Sequence, residues 1–149
     1  IKFSSDFIIA YPGETNVDFD KTLTLLNKVK YINTYSFTFS ARPGTPAANI
    51  KKIDDNIAKE RLSIFQKEAS SLKSAYRNEL TGTTAKVLVE NKVSDKNKYF
   101  GRDEYFNSVI ITSNKDIRGK ILNVKINNCN QNTLFGEIII NDKYEDYAA

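Results

Sequence analysis

The chain has 149 residues, of which 40% are hydrophobic and 27% charged, with a formal net charge of +4. This composition is typical of a soluble globular protein and excludes a disordered chain. The charge excess is too small to establish a polyanionic partner. Histidine is absent and cysteine occurs once, at Cys129. These counts exclude a serine triad, a cysteine-histidine pair, a histidine zinc site and a multi-cysteine cluster built from this chain alone.

The chain begins with Ile1 and contains no methionine, so we expect it to be part of a longer protein. No stretch is typical of a transmembrane span or a signal peptide, because the longest apolar runs are only strand-sized. The single cysteine suits a reducing compartment. We therefore expect a cytoplasmic protein without a membrane partner, and a monomer.

Two strand-helix units are predicted in the first part of the chain. A β-rich run at residues 3–11 ends at a Pro-Gly turn, and Thr15 or Asn16 then begins a helix. Residues 34–40 alternate aromatic and hydroxyl side chains, which indicates a second strand. A second helix follows Asp54, with apolar residues spaced by three and four up to Leu80.

Strand-helix units normally build a parallel sheet with helices outside. Two units are too few to close a barrel, so the predicted fold is α/β, the end of a partial TIM-like barrel. We expect the hydroxyl face of residues 34–40 to line a ligand cavity, since polar side chains inside a barrel are otherwise costly.

The pattern changes after Gly82 to short strands separated by turn residues. They are predicted at residues 84–90, 99–102, 108–112, 121–127 and 134–140. Five antiparallel strands in this length are typical of a small all-β barrel of the OB type. The sequence thus predicts domains at residues 1–81 and 82–141, followed by an acidic tail at 142–149.

Ligands in parallel βα folds gather where strands end. Glu14, in the loop after the first strand, is a candidate to accept hydrogen bonds from a ligand, or else serves the helix cap. Arg42 follows the second strand and is a candidate for pairing with a carboxylate or phosphate, or else a surface ion pair.

The barrel segment interleaves cations with aromatic residues, a pattern that suits RNA, whose phosphates attract cations and whose unpaired bases stack on rings. Residues 82–140 contain nine Lys or Arg against six Asp or Glu. The alternative is that the aromatics fill the barrel core. The candidate RNA-binding residues are Lys92, Lys96, Lys98, Tyr99 and Arg102.

Several ordered motifs carry a family resemblance. They include residues 5–15 (SDFIIAYPGET), 42–48 (RPGTPAA), 59–62 (KERL) and 133–137 (TLFGE). On these motifs the chain resembles the C-terminal portion of the radical SAM methylthiotransferases that modify tRNA. One departure lies in the first loop, where the family usually has Gly-Phe and this chain has Ala10-Tyr11.

The resemblance implies a function and a set of cofactors. Residues 1–81 would end the radical SAM barrel, and the second domain would be a TRAM domain that binds the tRNA anticodon arm. The enzyme would use S-adenosylmethionine and two [4Fe-4S] clusters to add a methylthio group at C2 of N6-isopentenyladenosine next to the anticodon. The ligands of both clusters would lie outside this chain, so the isolated chain would be inactive. Ser5, Glu14 and Arg42 would help to shape the S-adenosylmethionine or substrate cavity.

Two alternatives remain open at this point. One is a sister methylthiotransferase that acts on threonylcarbamoyladenosine in tRNA or on a ribosomal protein. The other is a non-catalytic RNA-binding remnant.

Overall fold

The computed structural model describes residues 1–93 and 97–139. The chain divides into two compact units, Ile1–Tyr76 and Arg77–Ala149. Among the sequence expectations, Lys96, the end of the last predicted strand at Ile140 and the acidic tail lie outside the described residues.

The first unit contains two strands and two helices in the predicted order. They are β1 (Ser4–Ile9), α1 (Asn16–Val29), β2 (Asn33–Thr38), a short 3₁₀ helix (Pro46–Asn49) and α2 (Asp55–Leu80), whose last residues belong to the second unit. β1 and β2 pair in parallel from Ser4 opposite Asn33 to Ile9 opposite Thr38. The predicted pair of strand-helix units is therefore present.

The core of the first unit lies on one side of this sheet. Phe19 and Leu26 of α1 and Phe65 of α2 are buried with Ile9. Phe7 joins them, with its ring centroid 4.7 Å from that of Phe65. The helical periodicity thus puts one apolar stripe of each helix against the sheet.

The hydroxyl side chains of β2 lie on the helix side of the sheet, and Thr38 among them lines a groove at the carboxyl ends of the strands. Thr34 lines a groove with Gln66 and Ala69 of α2, and Ser36 is the register partner of Phe7. Neighbouring side chains in register share a face, so the aromatic side chains of β2 occupy the other face.

The other face of the two-stranded sheet exposes large apolar side chains in the described residues. Ile8 and Phe37 are register partners there, and each is 61% exposed. Tyr35 is also exposed on this face, opposite Asp6. Parallel sheets are normally covered on both faces, so this face has the composition of an interior surface.

The second unit is a closed five-stranded barrel, which confirms the predicted all-β barrel. Its strands are β3 (Thr84–Lys92), β4 (Lys98–Asp103), β5 (Ser108–Thr112), β6 (Ile121–Cys129) and β7 (Leu134–Ile138). They close in the order β3-β4-β5-β7-β6. β5 and β7 pair in parallel, and the other neighbouring pairs are antiparallel.

Alternating residues of all five strands fill the barrel. The fully buried side chains include Val87, Val89, Val109, Ile111 and Leu134. Gly101 and Gly136 lie where strands approach closely. A Cβ on Gly101 would collide with the Leu88 carbonyl oxygen, and one on Gly136 would lie 2.5 Å from the Val124 side chain. Both positions therefore require glycine.

No helix formed by residues 1–93 and 97–139 is both long and apolar enough to cross a membrane.

Candidate functional site

Glu14, the predicted ligand-binding carboxylate, is held by an internal ion pair. Its Oε1 atom lies 2.7 Å from Nη1 of Arg61, and the two side chains are 10% and 9% exposed. Arg61 Nη1 also donates to the Glu14 carbonyl oxygen at 3.1 Å, and its Nη2 donates to Asn16 Oδ1 at 2.7 Å. Arg61 on α2 thus fixes both the loop after β1 and the start of α1.

The second carboxylate oxygen of Glu14 is also engaged. It accepts a hydrogen bond of 3.0 Å from the Ala10 backbone N–H. Ala10 has a φ of 59°, a left-handed conformation that glycine adopts with less strain. The Ala10 methyl group therefore stands at a strained backbone position where the resembling family has glycine.

The helix cap that the sequence predicted is formed by Thr15. Its Oγ1 accepts from the Asp18 N–H at 3.2 Å, and the Asp18 carboxylate accepts from the Thr15 N–H at 3.1 Å, which makes a capping box. The hydrogen bond from the Thr15 side chain, and then that from its backbone, lower the pKa of Asp18 below its usual 3.8. The cap satisfies N–H groups that a ligand would otherwise have to meet.

Ser5 and Arg42, the other predicted cavity residues, are not joined to Glu14. Ser5 is half-buried in β1, and its hydroxyl donates to the Asp6 carbonyl oxygen at 3.4 Å. Arg42 is exposed in the loop after β2, where its carbonyl oxygen accepts from the Thr45 N–H and hydroxyl at 3.2 and 2.8 Å. No hydrogen bond or ion pair connects these three side chains in the described part of the chain.

A shallow groove lies at the carboxyl ends of β1 and β2 in the first unit. Ala10 and Thr38 line it on the strand side, and Ala58 and Lys59 line it on the α2 side. This is the edge at which ligands of βα folds bind, and the loop locked by Glu14 and Arg61 borders it.

The outer face of β4 and β5 is the expected nucleic-acid face of the barrel. In OB folds the second and third strands, with the loops that flank them, bind oligonucleotides. β4 and β5 are the second and third strands here. Across this face the register aligns Phe100 with Ile110, and Ile110 with Phe135 of β7. The result is a partly exposed apolar row.

Two cationic side chains of β4, Lys98 and Arg102, lie on the same strand face as this apolar row. The Arg102 guanidinium carbon lies 5.4 Å from the centroid of the Phe100 ring, and its Nε lies 3.3 Å from Glu90 Oε1. Lys98 is exposed at the other end of β4. A stacked guanidinium beside an aromatic ring is a common arrangement for contacting phosphates and bases.

The prediction that Tyr99 contacts RNA is corrected by its burial. It is only 3% exposed and belongs to the barrel core, so its ring is not available to stack on a base. Strand alternation puts Tyr99 inside and its neighbours Lys98 and Phe100 outside. The Lys92 ammonium lies 5.8 Å from the Tyr99 ring centroid at the barrel surface.

The turn between β4 and β5 presents two further aromatic residues. Phe106 is 76% exposed and Tyr105 is 43% exposed. Buried Asp103 holds the turn, because its Oδ1 accepts from the backbone N–H groups of Tyr105 and Asn107 at 2.9 and 2.8 Å. Its Oδ2 accepts from the Asn107 side-chain amide at 2.8 Å.

Sequence reasoning missed Arg61 and Asp103 as organisers of these two places. Arg61 lies 47 residues from Glu14 along the chain, so only the fold brings the pair together. The Asp103 and Asn107 pair is local, and an Asp before a turn is a signal that a search for side-chain-bonded turns could find.

Residues 1–93 and 97–139 contain no group of three or more His, Cys, Asp or Glu side chains that is arranged to hold a metal ion. A [4Fe-4S] cluster is held by cysteine thiolates, and the chain has one cysteine. The residues present therefore do not fit such a cluster.

Comparison with known proteins agrees with this barrel. Residues 78–139 match the TRAM domain family. The chain is 47% identical to the tRNA-2-methylthio-N(6)-dimethylallyladenosine synthase of Pelagibacter ubique, over an alignment of 143 residues that covers 96% of the chain. It is 44% identical over 140 residues to the synthases of the same name from Rickettsia canadensis and Rickettsia bellii, which covers 93% of the chain.

Residues 78–139 of the second unit thus form a barrel that matches the TRAM domain family. Over nearly its whole length the chain is similar to a portion of the tRNA-2-methylthio-N(6)-dimethylallyladenosine synthases, which confirms the resemblance that the loop motifs indicated. It spans about a third of the length of these curated relatives, at 32% and 31%.

Proposed function

We propose that the chain is the C-terminal part of a tRNA methylthiotransferase, which adds a methylthio group at C2 of N6-isopentenyladenosine next to the anticodon by radical SAM chemistry. The observation that carries the proposal is the identity of 44–47% over 93–96% of the chain, across both units, to synthases named for this modified nucleoside. A relationship confined to the barrel would support only an RNA-binding module. The names of these relatives also favour this nucleoside over threonylcarbamoyladenosine or a ribosomal protein.

The first unit, with the remaining residues up to 81, supplies the end of the radical SAM barrel in this proposal. Support comes from its open sheet face, where Ile8, Tyr35 and Phe37 are exposed on a parallel pair of strands. In a barrel closed by further strands of a longer protein, this face would lie in the interior, and parallel sheets are stable when both faces are packed. The TRAM domain in this proposal covers residues 82–141, with residues 142–149 as a tail.

The loop after β1 borders the substrate side of that barrel in the proposal. Because both Glu14 oxygens are bonded inside the protein, we expect Glu14 to shape the cavity rather than to contact a ligand. Ser5 and Arg42 remain predicted cavity residues. S-adenosylmethionine supplies the radical chemistry when bound, and the cysteine ligands of both clusters belong to the part of the enzyme outside this chain.

The barrel binds the tRNA anticodon arm in the cytoplasm, with the outer face of β4 and β5 against the RNA. Lys98 and Arg102 contact phosphates in this proposal, and Lys92 and Lys96 remain predicted RNA-binding residues. The complex contains one copy of the protein.

A salt series tests the RNA-binding part. The chain is titrated into fluorescently labelled tRNA, and the dissociation constant is measured by anisotropy between low and physiological salt. Affinity should fall linearly on a double logarithmic plot, because each neutralised phosphate releases counterions. Undetectable binding at low salt would remove the proposed role of the barrel.

A knockout tests the catalytic part. In the source organism, deletion of the gene that encodes this chain should remove the 2-methylthio group from N6-isopentenyladenosine, as measured by mass spectrometry of tRNA nucleosides. Loss of the methylthio group from threonylcarbamoyladenosine instead would identify the sister enzyme. An unchanged nucleoside profile would indicate a non-catalytic remnant.

A further inference from the structure

We propose that the turn of residues 103–107 is a base-stacking finger, in which the Phe106 ring stacks on an unpaired base of the bound RNA. This inference rests on the proposed RNA-binding role of the barrel and names a specificity-determining residue within it. Phe106 would have the base-stacking role that the sequence predicted for Tyr99, whose ring is buried in the core.

The first observation is the exposure of a large apolar side chain at a tip. Phe106 is 76% exposed, whereas the neighbouring strand residues Val109 and Ile111 are fully buried. The backbone of Phe106 has a φ of 61°, a conformation that is uncommon for bulky residues and is retained mainly at functional positions. Glycine or asparagine would suit this turn better if it only connected two strands.

The second observation is the rigidity of the turn. The Phe106 N–H donates to the Asp103 carbonyl oxygen at 3.0 Å, and the Asp103 N–H donates to the Asn107 carbonyl oxygen at 3.2 Å. With the bonds to the Asp103 carboxylate, these contacts fix the backbone on both sides of Phe106. A ring held in advance loses less conformational freedom on binding than a ring on a flexible loop.

The third observation is the position of the turn beside the cationic end of β4. Arg102 and Ser108 are register partners across the base of the turn, and Arg102 lies on Phe100. Glu104 is the acidic residue exposed in the turn itself, and Glu90 partly neutralises Arg102. An aromatic tip next to a guanidinium fits a nucleotide, whose base stacks while its phosphate meets the cation.

The test compares Phe106 variants of the full chain on an anticodon stem-loop RNA and on a blunt-ended RNA duplex of the same stem sequence, which has no unpaired bases. Phe106→Ala should weaken stem-loop binding by about tenfold to a hundredfold and leave paired RNA unchanged. Phe106→Trp should retain affinity. Leu25→Ala, which removes an exposed apolar side chain on α1, should change neither.

Phe106→Gly separates a role of Phe106 in stability from a role in RNA binding, because glycine relieves the strain at positive φ. We expect the melting temperature to rise or stay the same while stem-loop affinity falls. The salt slope should stay that of the original chain, because no phosphate contact is lost. A 2-aminopurine in the RNA loop should be quenched by the original chain and not by Phe106→Gly.

Equal stem-loop affinity of Phe106→Ala and the original chain would overturn the inference and leave the RNA-binding role intact. Failure of the original chain to bind either RNA would instead overturn the proposed function. If Phe106→Ala abolished self-association in sedimentation while RNA affinity stayed the same, the turn would be a contact between copies and the inference would also be wrong.

Discussion

Ala10 has a left-handed backbone conformation, and its backbone N–H belongs to a set of contacts that fixes the whole loop after β1. The Ala10 N–H reaches Glu14, and Glu14 reaches Arg61 on α2. From the sequence alone, a loop carboxylate such as Glu14 and a helix cation such as Arg61 would each be predicted to lie on the surface. Their burial together makes them part of the fold of the first unit.

Replacement of Ala10 by glycine should leave the free energy of unfolding within about 1 kcal/mol of that of the original chain. Relief of the left-handed strain, about 1–2 kcal/mol, is offset by the greater freedom of glycine in the unfolded state and by loss of the Ala10 methyl group, which is buried in the core of the first unit. The measurement is the free energy of unfolding in a denaturant titration. Ala75→Gly, at an exposed helical position, is the control and should lose about 1 kcal/mol. A larger loss at Ala10 than at Ala75 would contradict the expected strain.

Removal of the Glu14 carboxylate should destabilise the first unit by about 3 kcal/mol or more. Glu14→Ala leaves the Arg61 guanidinium buried without its counter-charge, which is costly in a poorly solvated place. Chemical denaturation of the variant measures the loss, and the double variant Glu14→Ala with Arg61→Leu should recover part of it.

The matched control for Glu14→Ala is the exposed ion pair between Asp116 and Arg118. The hydrogen bond from the Arg118 side chain, and then that from its backbone, lower the pKa of Asp116 to about 2. Both side chains are more than half exposed, so Asp116→Ala should change stability little at neutral pH. A comparable loss in the two variants would show that burial of the Glu14 pair does not decide its strength.

Among the elements, β4 contributes both to the core of the barrel and to its proposed RNA-binding surface. Its inner residues Tyr99, Gly101 and Asp103 are buried, and its outer residues Lys98, Phe100 and Arg102 face away from the core. Period-two alternation sets this division. The strand therefore packs the core with one face and offers the proposed RNA surface with the other.

Gly101→Ala should destabilise the barrel by about 1–3 kcal/mol. The added Cβ meets the Leu88 carbonyl oxygen, a backbone atom that cannot move aside without disturbing β3. Chemical denaturation of the variant and of the original chain measures the loss. Gly82→Ala, where a Cβ meets nothing within 4 Å but φ is 86°, should lose less. Full stability of Gly101→Ala would show that the barrel accommodates a Cβ between β3 and β4.

At the scale of the whole molecule, two surfaces stand out in two separate units. The first unit has an open apolar sheet face, which we propose is covered in the complete enzyme. The second unit has a small positive excess beside an aromatic row. A net charge of +4 is modest, so the placement of cations on the β4 face must supply the attraction for RNA.

Replacement of Lys98 and Arg102 together by alanine should weaken tRNA binding and reduce the slope of affinity against salt by about two, one for each phosphate contact. Anisotropy titrations at several salt concentrations measure both quantities. Lys28→Ala on α1 is the control for loss of one positive charge. If the double variant weakened binding without a change in slope, these side chains would not contact phosphates.

Local sequence patterns determined the elements and their order. Alternation along residues 34–40 specified β2, the three-and-four spacing up to Leu80 specified α2, and turn residues separated the five barrel strands. These patterns are sufficient because they reflect which side chains each backbone period buries. The loop motifs also indicated the family, which the comparisons confirm.

The tertiary structure alone decided which residues meet and which faces remain open. It paired Glu14 with Arg61, buried Tyr99 while exposing Phe106, and turned the hydroxyl side of β2 toward the helices. Alternation along a strand establishes two faces but does not say which one packs, because that depends on elements distant in sequence. The same distance explains why the partner of a charged loop residue could not be predicted from its neighbours.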